Sequence, residues 1–146
     1  MSEPTNSQPG IAFWIIGVVA LFWNLIGLFL YYTGVSTSPE ELAAVYTEEQ
    51  VALIASTPAW ATSANALAVT FGVIGALLLL LRKSFAVTAF VISLAAIVVW
   101  DIYMFAMTNS LEVFGTQVAI IQGMVLVIAV FLLWYASQQK ARGVLG

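Results

Sequence analysis

Four long apolar runs, at roughly 11–32, 58–81, 84–105 and 116–136, dominate the chain, separated by one long polar interval and two short ones. Each is about 20 residues long, the length an α-helix needs to cross the hydrocarbon core of a bilayer. Only helices and closed barrels satisfy their backbone polar groups in lipid, and these runs lack the period-2 alternation of a barrel strand. The pattern predicts an all-α membrane protein: an antiparallel four-transmembrane-helix bundle over 11–136. Polar tails are expected at 1–10 and 137–146, both on the cytoplasmic side, the first disordered and the second basic. The first run is longer than the apolar core of a signal peptide and no Lys or Arg precedes it, so it is read as a retained helix.

The long interval, 33–57, has helical patterning of its own. Ser38-Pro39-Glu40-Glu41 offers an N-cap serine, a proline at the first helical position and a glutamate at the third. Leu42, Val45 and Tyr46 follow on one face. Thr47-Glu48-Glu49-Gln50 repeats the capping pattern, with Val51, Ile54 and Ala55 at the same spacing. Two short amphipathic helices are expected, or one broken near Thr47. Their apolar faces need cover, and with four glutamates they suit the mouth of the bundle better than anionic headgroups.

Composition sharpens this picture mainly by exclusion. Hydrophobic residues make up 62% and charged residues 8% of the 146, against about 25% charged in soluble domains. That much apolar surface needs lipid as a partner, and the length allows one domain. Cys and His are both absent, which removes thiol redox chemistry, haem ligation by histidine and zinc sites built from those residues. Neither a metal nor another cofactor is expected. With four Lys and Arg in all, no basic stripe exists for nucleic acid. Those four residues, Arg82, Lys83, Lys140 and Arg142, fall on one face of a four-span topology. Glu40, Glu41, Glu48, Glu49 and Glu112 fall on the other. The positive-inside rule then predicts that both termini are cytoplasmic. Trp14, Trp134 and Tyr135 suit the inner interface, and Tyr31, Tyr32, Trp60, Trp100 and Tyr103 the outer one.

Four amide or carboxyl side chains, Asn24, Asn65, Asp101 and Gln122, lie within the spans away from the first turn of each. Side chains of this kind usually face a bundle interior, which makes each a candidate site residue. Asn24, Asn65 and Gln122 lie roughly 9–12 Å below the outer boundary and Asp101 about 6 Å, at 1.5 Å per residue. Each amide falls on a seam of small residues with 3-4 spacing: Gly17, Ala20, Asn24, Gly27, Tyr31; Ala61, Asn65, Ala68, Gly72, Gly75; and Gly115, Ala119, Gln122, Leu126, Ala129. Such seams predict close helix approach, with each amide pointing inward where it can hydrogen-bond across to a neighbour. The third span has its own seam, Ala86, Ala89, Ser93 and Ala96, and Asp101 lies about 80° from Ser93 around the helix. Asp101 is therefore expected either to turn toward the amides, as a candidate for proton coupling, or to reach the interface beside Trp100 and Tyr103.

Several segments also carry a resemblance. Phe22-Trp23-Asn24-Leu25-Ile26-Gly27, Thr57-Pro58-Ala59-Trp60, the leucines of 77–81 before Arg82-Lys83, and Leu132-Leu133-Trp134-Tyr135-Ala136 resemble a group of small bacterial inner-membrane proteins. These have four spans and about this length, and are often labelled uncharacterised or loosely "sugar transporter". The similarity runs over nearly the whole chain and implies a multi-pass protein of the bacterial inner membrane. Its motifs are structural and carry no defined chemistry. Small multidrug exporters also have four helices, but they use a glutamate in the first, which this chain lacks. No catalytic constellation is visible, so an enzyme is not expected. The polar pattern ranks an accessory or binding subunit of a membrane assembly first. A small-solute or proton-coupled transporter acting as a homo-oligomer through the polar outer half ranks second.

Overall fold

Runs of Ala, Leu, Val, Ile and Phe satisfy their own backbone hydrogen bonds as helices and leave none of these groups to lipid. In the computed structural model, which describes residues 8–146, each run forms one helix. The order is α1 (Ile11–Ser36), α2 (Pro39–Val45), α3 (Glu48–Ala55), α4 (Ala59–Leu80), α5 (Phe85–Ala106), α6 (Ser110–Phe114) and α7 (Thr116–Ala141). Residues 1–7 of the expected N-terminal tail lie outside the described residues. Helices α1, α4, α5 and α7 are each long and apolar enough to span a membrane, and they make this a small multi-pass membrane protein with an all-α bundle fold.

The interval between α1 and α4 forms two helices, each closed by a reciprocal capping box. Ser38 Oγ accepts from the Glu41 N–H and Glu41 Oε2 from the Ser38 N–H, both at 3.3 Å. Thr47 Oγ1 accepts from the Gln50 N–H at 3.2 Å and Gln50 Oε1 from the Thr47 N–H at 3.1 Å. Extended backbone at Tyr46 separates the two helices. Neither contains a buried residue, so the expected cover of their apolar faces is only partial. They lean instead on α6, a short helix that the apolar pattern does not announce. Gln50 Nε2 donates to the Val113 carbonyl at 3.1 Å, and the Tyr46 and Phe114 rings meet edge to face.

Consecutive spans pack side by side: α1 on α4, α4 on α5 and α5 on α7, with α4–α5 the most extensive interface. The ring of four is not closed in the same way, for α1 and α7 share no comparable interface. They meet at the end of the bundle that carries the Arg82–Lys83 turn, where the rings of Phe13 and Tyr135 lie 6.4 Å apart. The main core fills this end, with Phe13, Ala76, Leu79, Ala86, Phe90, Leu132 and Ala136 all buried. Small residues set the spacing of the helices. A Cβ on Gly75 would lie 2.6 Å from the Phe90 ring, and one on Gly17 would lie 2.5 Å from Leu80.

The expected basic tail is largely ordered. Gln138, Gln139 and Lys140 are good helix formers and carry α7 on to Ala141. Gly143, at φ 78°, then ends the helix in the left-handed conformation that glycine tolerates best. The N–H of Val144 reaches back to the Gln139 carbonyl at 2.9 Å. The chain turns onto the α4–α5 connection, where Gly146 N donates to the Arg82 carbonyl at 2.8 Å and Ser84 N donates to the Gly146 carbonyl at 2.9 Å. Arg82 Nε donates to the Val144 carbonyl at 3.0 Å. Val144 and Leu145 are buried in the main core by this turn.

Candidate functional site: an intramembrane cavity

Between the four spans, in the half nearer α2 and α3, lies a cavity of about 380 Å³. Helical periodicity builds its walls. Trp23, Ile26, Gly27, Leu30 and Tyr31 form one stripe of α1, and Asn65, Ala68, Val69 and Gly72 a stripe of α4. Phe90, Ser93, Ile97 and Trp100 line it from α5, and α7 contributes Ile121, Gln122, Val125, Ile128, Ala129 and Leu132. From Phe90 to Trp100 the lining climbs about 15 Å, half the ~30 Å hydrocarbon thickness. Phe90 and Leu132 belong both to the floor of the cavity and to the buried core beneath it. The cavity is therefore blind on the side of the Arg82–Lys83 turn.

Asn24, Asn65 and Gln122 all line this space, although they make no hydrogen bonds between helices. Asn24 Nδ2 turns back to the Ala20 carbonyl of its own helix at 2.8 Å. Its Oδ1 lies against Gly72, where an added Cβ would collide with it. Among the described residues, no protein group hydrogen-bonds the side-chain amides of Asn65 and Gln122. The hydrogen bond that does cross between helices here comes from Ser93, whose buried Oγ donates to the Ala68 carbonyl at 2.7 Å. That contact uses a lone pair of a carbonyl already in the α4 ladder, and it locks α5 to α4 behind the cavity.

Asp101 is separate from the three amides. On α5 the lining follows the 3-4-3 spacing of Phe90, Ser93, Ile97 and Trp100, so Trp100 takes the inward position and Asp101 points away from it. Of the candidates Asn24, Asn65, Asp101 and Gln122, the three amides line the cavity and Asp101 does not. Asp101 Oδ1 is buried without a hydrogen-bond partner among the described residues. The helices α2, α3 and α6 contribute no lining residue.

Trp23 and Trp100 are wall residues that depth alone did not identify. Trp100 reads from the sequence as an interfacial anchor, and Trp23 as one apolar residue among many. The signal for Trp23 was present in its spacing to Gly27 and Tyr31, at i+4 and i+8, on a stripe that also includes Ile26 and Leu30 at i+3 and i+7. Among the described residues, no cluster of acidic side chains could hold a metal ion, and the cavity lining contains no charged side chain. Its chemistry is that of apolar and aromatic walls with a few neutral hydrogen-bonding groups, the usual makeup of a small-ligand pocket.

The chain is thus a four-span membrane bundle with an uncharged cavity in one half. Comparison with protein-family models, with curated proteins and with solved structures gives no match for the chain.

Proposed function

We propose that the chain is a binding protein of the bacterial cytoplasmic membrane, serving as an accessory subunit, and that the cavity holds its ligand. The observation that carries this reading is the unused hydrogen-bonding capacity of Asn65 and Gln122 in a cavity lined mostly by apolar groups. A polar group withdrawn from water without a partner costs about 1–3 kcal/mol, and a ligand that bonds these amides recovers that loss. Packing alone does not require them, since Ser93 already supplies the link between helices.

The closed floor favours binding over passage. A transporter of this size needs a polar route through the Arg82–Lys83 half, but Leu79, Ala76 and Ala136 are fully buried there among other apolar side chains. Both termini are assigned to the cytoplasm, because Arg82, Lys83, Lys140 and Arg142 lie at their end of the bundle. The test is to extract the protein together with its surrounding bilayer and weigh it intact. A bound small molecule is expected on the wild type and on Asp101→Asn, and its loss on the Asn65→Leu, Gln122→Leu double variant. Solute flux through proteoliposomes that this double variant abolishes would overturn the reading in favour of transport.

A further inference from the structure

We infer that the ligand is an uncharged amphiphile drawn from the bilayer itself, which enters through the gap between α1 and α7. The inference rests on the binding role of the cavity and adds to it the chemical class and the route. Three observations meet here. The first is the opening: α1 and α7 lack the interface that joins the other neighbouring spans, and the residues on either side of it belong to both surfaces. Ile26, Leu30 and Ile121 line the cavity yet are 54%, 61% and 47% exposed. The wall of the pocket thus runs without interruption onto the surface that lipid covers, and an apolar chain can cross that rim without leaving hydrocarbon.

The second observation is size. About 380 Å³ lies near the lower end of the roughly 300–1,000 Å³ range of small-ligand pockets. That space takes a small polar head and the first few carbons of a chain, but not a whole lipid. The remaining chain has to lie outside, and the gap provides the place for it. The third observation is charge. With no Lys, Arg, Asp or Glu in the lining, a phosphate, carboxylate or ammonium would be desolvated without a counter-ion. The amides of Asn65 and Gln122 both donate and accept, which matches a head bearing hydroxyl or carbonyl groups, as in an acylglycerol or a long-chain alcohol. Trp23 and Trp100 supply flat apolar surface on opposite walls.

The full-length protein in phosphatidylcholine vesicles can be photolabelled with a monoacylglycerol that carries a diazirine on its acyl chain. A fatty acid with the same chain and diazirine, labelled at a pH where it is anionic, is the charge control. The monoacylglycerol is expected to label Ile26, Leu30 and Ile121 and to be displaced by unlabelled monoacylglycerol. Asn65→Leu and Gln122→Leu should each weaken it roughly fivefold, with Asn65→Gln restoring part of the loss. Labelling at Val19 and Val127, which are 61% and 68% exposed to lipid, should stay constant in every variant and so reports the intact fold. Equal labelling of the rim by the anionic probe, or rim labelling indifferent to the amides, would overturn the inference. If weighing the intact protein shows a charged or water-soluble molecule that depends on both amides, this inference fails while the binding role stands. If no molecule is retained and no probe is displaced, both fail.

Discussion

Among the described glycines, Gly72 has the least room for a side chain, because Asn24 fills the space. Asn24 is held by the Ala20 carbonyl, and its Oδ1 occupies the space a side chain at position 72 would need. Gly72→Ala therefore forces the amide out of place, and overpacking of this kind costs about 1–3 kcal/mol. The cost should depend on the partner. In an Asn24→Ala background the same substitution should be nearly neutral, giving a coupling of roughly 1 kcal/mol or more in a double-mutant cycle of unfolding free energies. Additive effects would mean that the two residues do not share this space. Ser93 makes a different kind of contact, because its hydroxyl bonds a carbonyl rather than filling a gap. Polar contacts of that sort in membranes average about 0.6 kcal/mol.

The helical elements divide into those that lipid enforces and those held by local chemistry. The long spans need no caps, because hydrocarbon leaves the backbone no alternative to its own ladder. In contrast, α2 and α3 lie outside the apolar runs, have no buried residue, and depend on their capping boxes. Ser38→Ala and Thr47→Ala should each destabilise their own helix by about 1 kcal/mol. The expected signature is faster hydrogen exchange at residues 41–46 or 50–55, with no change in the protection of α4 and α5. A parallel loss of protection in those spans would show that the loop helps to hold the bundle. At the other end, α4 finishes with Arg82 at φ 58°, a conformation that costs a non-glycine residue about 1–2 kcal/mol. From that conformation Arg82 Nε donates to the Val144 carbonyl at 3.0 Å.

At the scale of the whole molecule, the bundle is clamped at one end and open at the other. The last residues of the described chain close the clamp, with Val144 and Leu145 each 5% exposed among core residues of several helices. Leu145→Ala should lower unfolding stability by about 2 kcal/mol, read by thermal or denaturant unfolding in a fixed detergent. An effect near zero would show that this segment only rests on the bundle. Orientation is also a property of the whole chain. A reporter active only outside the cytoplasm, fused after Arg142, should be silent, while the same reporter inserted between Tyr46 and Thr47 should be active. The reverse result would place the basic end outside. The open end is where α1 and α7 stay apart, and this single feature separates a cavity reached from the bilayer from a sealed core.

Much of this molecule was legible from the order of its residues. Twenty apolar residues in a row can cross a membrane only as a helix, and Ser38 and Thr47 mark helix starts because their side chains reach only three residues ahead. The seams through Asn24, Asn65 and Gln122 were readable too, since 100° per residue determines which side chains share a face. Each of these facts depends on neighbours within a turn or two. Other features depend on pairs of residues far apart in the chain. That Asn65 and Gln122 would line a cavity without bonding each other, that Trp100 and not Asp101 would face it, and that the C-terminal residues would fold back onto Arg82 all follow from how the helices are spaced and rotated. Residue order alone specifies four membrane-spanning helices and the inward seams of α1, α4 and α5, while on α7 only Gln122 and Ala129 of the expected seam line the cavity. That the ring stays open between α1 and α7 depends on packing in three dimensions: close contacts around Gly72, Gly75 and Ser93 draw α1, α4 and α5 together on one side and leave the far side to lipid.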